Sequence, residues 1–140
     1  MPTISVVDKL IAEQKLQVIK TWDYSKAIAD LLQEHPYLAD KIPTILEQFQ
    51  NFMLFSSLEE ESVPMACKIT DLLWHAFMLA DTREYRKYCF AVKGDFIDHV
   101  TGGKEVNSNG LSMESLYQKY FGTSAPDSMI GKDICWSCYD

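Results

Sequence analysis

Apolar side chains recur along this chain at intervals of three and four, and no segment carries a strong period-two alternation, so helices must supply the core. Val6, Val7, Leu10, Ile11, Val18 and Ile19 outline a first helix over about Thr3 to Lys20. Asp23 or Ser25 can cap a second, carrying Ala27, Ile28, Leu31 and Leu32 and stopping before Pro36. A third spans about Leu38 to Phe55, with Pro43 in its first turn if it starts nearer Lys41. Its apolar set is Ile45, Leu46, Phe49, Phe52, Met53 and Phe55. Ser56 to Pro64 reads as a polar connector, and a fourth helix covers about Met65 to Leu79. Asp81-Thr82-Arg83-Glu84 has capping-box form and predicts that a fifth helix starts there and runs to about Val92, with Gly94 loosening or ending it. Residues 101 to 110 are loop-like in composition. Ser112 and Gly122 bracket a short last helix, Met113 to Phe121.

The expected fold is therefore all-α, a compact single-domain helical bundle over residues 1–122. An irregular Cys-containing tail, 123–140, would pack on it or remain flexible. Helices one and three are expected to supply most of the aliphatic core.

A chain of 140 residues is one domain by size and can bury a core without covalent staples. No apolar run approaches the roughly 20 residues that span a bilayer, so no membrane partner is expected. The N-terminal residues do not read as an export signal. The net charge of −7 argues against nucleic-acid binding through a general basic surface and favours a cytoplasmic protein, or one with a basic protein partner. Glu59, Glu60 and Glu61 form the densest acidic cluster, beside the Phe52 to Phe55 end of the third helix. It reads either as a solvated loop or as the charged rim of a docking surface.

The densest chemistry lies between Asp71 and His99. Asp71 and His75, four apart, share a helix face, where the carboxylate can orient the imidazole. If the chain turns at Asp81, His75 and Cys89 approach one another across a helical hairpin; in one straight helix they stand roughly 21 Å apart. Three readings follow. Trp74, His75, Tyr85 and Cys89 can form a mixed polar and aromatic core. His75, Cys89 and His99, with Cys135 and Cys138 of the terminal C-x-x-C, can hold zinc. Cys89, or the Asp71–His75 pair, can act in catalysis, although no nucleophile elbow, phosphate loop or H-E-x-x-H is present. No catalytic residue is assigned. Cys67 reads as a buried free thiol, and His35 as a surface residue at a helix end.

Asp71, Trp74, His75, Leu79, Thr82, Tyr85, Cys89, Gly94, Phe96 and His99 together resemble the signature of the glycine-rich domain-containing protein-like family. Pro64 and the Leu116-Tyr117 to Tyr120-Phe121-Gly122 segment extend the resemblance over about residues 62–138. Many members have a second histidine two positions after the first, where this chain has Phe77. The resemblance implies a motif cluster of Asp71, Trp74, His75, Thr82, Tyr85, Cys89 and His99, but no particular activity. The functional expectation is a small acidic interaction protein of adaptor, inhibitor or immunity type. The alternative is a small metalloprotein or metalloenzyme with a His/Cys site around His75, Cys89 and His99.

Overall fold

The computed structural model describes residues 5–60, 63, 65, 67–97 and 112–126. Six α-helices follow in order among them: α1 (Val6–Thr21), α2 (Ser25–Glu34), α3 (Ile42–Leu58), α4 (Lys68–Ala80), α5 (Thr82–Val92) and α6 (Met113–Phe121). A 3-10 helix, Pro36–Lys41, joins α2 to α3. The all-α expectation holds, and no strand occurs among the described residues.

Local chemistry sets the boundaries. Asp23 Oδ1 accepts hydrogen bonds from Ser25 N and Ser25 Oγ, 2.9 and 2.6 Å away, and holds the entry to α2. Pro36 has no N–H to continue that helix and opens the 3-10 turn instead. Pro43 lies in the first turn of α3, where a missing N–H costs nothing. Gly94 and Gly122, at φ of +81° and +69°, take the left-handed conformation that ends α5 and α6.

Helix α3 is the centre of the bundle. Ile45, Phe49, Phe52, Met53, Leu54 and Phe55 are all buried, and so are Gln48, Gln50, Ser56 and Ser57. A helix buried nearly all round needs neighbours on every side, and α1, α4 and α5 pack against it. α6 covers its last turns, with Tyr117, Tyr120 and Phe121 ringed around Phe55. Two of the polar side chains that this burial takes from water have partners within the fold. Ser57 Oγ donates to the Leu54 carbonyl at 2.7 Å. Thr70 Oγ1 donates to Gln48 Oε1 at 3.2 Å between α4 and α3. The expected polar connector is shorter than proposed, because α3 continues through Leu58.

Two lysines tie early helices to late ones. Lys15 of α1 donates to the carbonyl of Val92 at the end of α5. Lys26 of α2 donates to the carbonyl of Ala80 at the end of α4, 2.8 Å away. Each ammonium meets a helix C-terminus, where unpaired carbonyls and the helix dipole favour a cation. Burial, and then the nearby charge of Lys93, lower the Lys15 pKa.

Helix α1 departs from expectation. Of its side chains only Ala12 and Ile19 are buried. Val6, Val7, Leu10 and Ile11, read as core positions, are 77, 64, 53 and 40% exposed. The periodicity correctly marks a one-sided helix, but the first turns of α1 only flank a cleft beside Leu58 and Tyr120, and their apolar side chains stay largely exposed. α1 therefore does not share the aliphatic core equally with α3.

Candidate functional site

The chain does turn at Asp81. That residue is extended, at φ −160° and ψ 100°, and separates α4 from α5. Its carboxylate accepts hydrogen bonds from the backbone N–H groups of Arg83 and Glu84, both at 3.1 Å. The first turn of α5 is thus satisfied by its own cap.

With the break in place, residues of the motif meet across the two helices. Trp74 Nε1 donates to Tyr85 Oη at 3.0 Å, and Tyr85 Oη donates to the Ile97 carbonyl at 2.6 Å. Tyr85 is 1% exposed and Trp74 2%, so both groups need these bonds to be buried at all. Phe77 lies among Tyr24, Phe49, Tyr85 and Tyr88, with ring centroids 4.9–5.8 Å away. Such edge-on and tilted pairs are favourable beyond their buried area. Tyr24 Oη donates to the Ile19 carbonyl at 2.6 Å and reaches Tyr88 Oη at 3.2 Å. Burial raises the pKa of both phenols; the hydrogen bond between them opposes that for Tyr24 and adds to it for Tyr88.

The remaining motif residues diverge. Cys89 is fully buried, as is Cys67. His75 instead faces outward, over a cleft of about 600 Å³ between α2 and α4 that also borders Asp30, Glu34 and His35. His75 and Cys89 therefore occupy different environments despite the hairpin. Asp71 is half-buried, and Thr82 is the exposed first residue of α5. Among the described residues no three His, Cys, Asp or Glu side chains are grouped to hold a metal. His99, Cys135 and Cys138, the other expected zinc ligands, lie outside the described residues.

The acidic cluster also changes character. Glu59 accepts a hydrogen bond from the Tyr120 hydroxyl and pairs with Lys119 at 3.3 Å, its side chain only 16% exposed. That carboxylate ties α6 to the end of α3. Burial, and then the bond to Glu59, raise the Tyr120 pKa. Glu60 is exposed, and Glu61 lies outside the described residues. Asp8, Glu59 and Glu60 border a cleft of about 470 Å³ with Ile11, Leu58, Lys119 and Tyr120. The tyrosine pair, the lysine caps and the Asp8 side of this cleft were not foreseen in the sequence. Only the Val6-Val7 and Leu10-Ile11 doublets beside Asp8 hinted at the last.

A family model described as UCP032817-like matches residues 14–128. The chain belongs to the UCP032817-like family. No curated protein and no solved structure matches it. Membership of the UCP032817-like family overturns the resemblance to the glycine-rich domain-containing protein-like family. The residues behind that resemblance include Trp74, Tyr85 and Cys89, which pack the α4–α5 pair. Packing of this kind recurs wherever two helices share an aromatic core, so it is weak evidence of kinship. Phe77, where many members of that other family have a second histidine, is a core residue here, 6% exposed.

Proposed function

We propose that this UCP032817-like chain is a protein-binding module that receives a basic, amphipathic segment of its partner. The observation that carries the reading is the first half of α1, where Val6, Val7, Leu10 and Ile11 stand 40–77% exposed. Apolar side chains contiguous on one helix face mark interaction surfaces more often than scattered ones do. Asp8 and Glu60 border the adjoining cleft, which Ile11 of the stripe also lines. Apolar anchors beside a carboxylate rim suit a partner whose own apolar face is flanked by lysine or arginine. The docking role moves from the Glu59–Glu61 run as a unit to Asp8 and Glu60, since Glu59 is engaged within the fold.

No helix among the described residues is long and apolar enough to cross a membrane. A zinc site remains the alternative built on His99, Cys135 and Cys138 with His75 or Cys89, and metal analysis of the purified chain separates it from the binding module.

The test uses a partner captured from cells and then purified. Val7→Gln with Leu10→Gln should weaken its binding at least tenfold, or about 1.4 kcal/mol. The fold should survive, because both positions are exposed. Glu60→Gln should slow association and flatten its salt dependence. A purified partner that binds the double variant as tightly as the wild type overturns the reading. So does a concentration-dependent dimer abolished by the same substitutions, which would make a second copy the occupant.

A further inference from the structure

The surface beside Tyr85 has the opposite chemistry. The chain contains two arginines, Arg83 and Arg86. Three residues apart on α5, they share one exposed face of that helix. Both border a single cleft of about 420 Å³ together with Met78, Leu79, Tyr85 and Phe96. In a chain of net charge −7 this is a concentrated cationic feature.

The cleft is built rather than incidental. Tyr85 is held from both ends of its hydroxyl by Trp74 and the Ile97 carbonyl. That second bond also anchors the segment bearing Phe96, whose ring stands edge-on to Tyr85 at 5.6 Å. Phe96 and Leu79 nonetheless remain 39 and 57% exposed. An apolar floor thus lies open in a cleft that two arginines border. Among the described residues no carboxylate pairs with either of them: Glu84 is taken by Lys87 at 3.2 Å, and Asp81 by the backbone of α5. The helix N-terminus is closed by Asp81, which leaves the arginines to recognise an anion. Arginine suits this task through its planar, forked donors.

The geometry points to a binding site for a small amphipathic carboxylate. Its carboxylate accepts hydrogen bonds from Arg83 and Arg86, and its apolar body lies on Met78, Leu79 and Phe96. The volume falls within the usual range for small-ligand sites. A floor fixed before binding limits the ordering cost of capture. The site is separate from the α1 surface and does not depend on it.

Calorimetric titration of the full chain with octanoate, octanol and octylammonium tests the site. Octanoate should bind saturably at one per chain, octanol at least tenfold more weakly, and octylammonium not at all. Arg83→Gln with Arg86→Gln, both at exposed positions, should reduce octanoate to the octanol level while circular dichroism stays unchanged. Phe96→Ala should weaken octanoate and octanol alike, and Val7→Gln with Leu10→Gln should alter neither. Equal octanoate binding by the double-arginine variant overturns the proposal, as does heat that never saturates. An acidic peptide that binds through the two arginines where octanoate does not would also overturn it.

Discussion

Trp74 and Tyr85, eleven residues apart, meet across the Asp81 turn in a buried hydrogen bond of 3.0 Å. The same hydroxyl reaches on to the Ile97 carbonyl. One phenol therefore joins α4, α5 and the segment after Gly94.

Removing that hydroxyl should be costly. Tyr85→Phe leaves an indole N–H and a backbone carbonyl without this partner in the core, a loss of about 1–3 kcal/mol. Urea unfolding followed by tryptophan emission measures it. A change within about 0.5 kcal/mol, the usual range for a surface substitution, would show that the three-part bond is not formed in solution.

Asp81 offers a cleaner local test. Asp81→Ala should lower stability by about 1 kcal/mol, while Asp81→Asn, which can still accept both N–H groups, should retain most of it. Equal losses for the two variants would point to the charge of Asp81 rather than to its capping bonds.

Phe77 separates packing from ligand chemistry. Phe77→Ala should cost about 3–5 kcal/mol as a truncation inside an aromatic cluster. Phe77→His should also destabilise, by burying ring nitrogens among four aromatic rings. Zinc should not rescue it, since His75 faces outward. A zinc-dependent rise in the melting midpoint of Phe77→His would contradict the placement of these two side chains.

Alkaline pH should unfold the protein through its buried tyrosines. Desolvation raises the Tyr24 and Tyr88 pKa values in the folded state. The folded chain therefore keeps these protons above pH 10 while the unfolded chain releases them, and stability falls as pH rises through that window. Each phenol so held contributes a loss of about 1.4 kcal/mol per pH unit. Absorbance at 295 nm should show these two groups ionising only as the protein unfolds. Tyr88→Phe should make the decline with pH shallower; an unchanged slope would mean that Tyr88 ionises in place.

Features written in short-range chemistry were legible before the fold was known. Ser112 and Gly122 bracket α6 as expected because a cap and a left-handed glycine act within one turn. Asp81 behaved likewise. The α3 core positions were readable from spacing alone. The bond between Tyr24 and Tyr88 spans 64 residues, and no local pattern encodes it. The apolar face of α1 shows a different limit. Periodicity reports which side of a helix is apolar, but not whether the rest of the chain supplies anything to lie on it. For the same reason the hairpin geometry was foreseen while the outward direction of His75 was not.

The burial of α3 on nearly every side bears on the order in which the chain is made. Its 17 residues leave the ribosome ahead of α4, α5 and α6. Until those three helices follow, a nascent chain presents Phe49, Phe52 and Phe55 with only α1 and α2 available to shelter them. Synthesis arrested after Leu58 would yield an aggregation-prone fragment, and pausing in the α3–α4 connection would lengthen the time that a chaperone has to engage it.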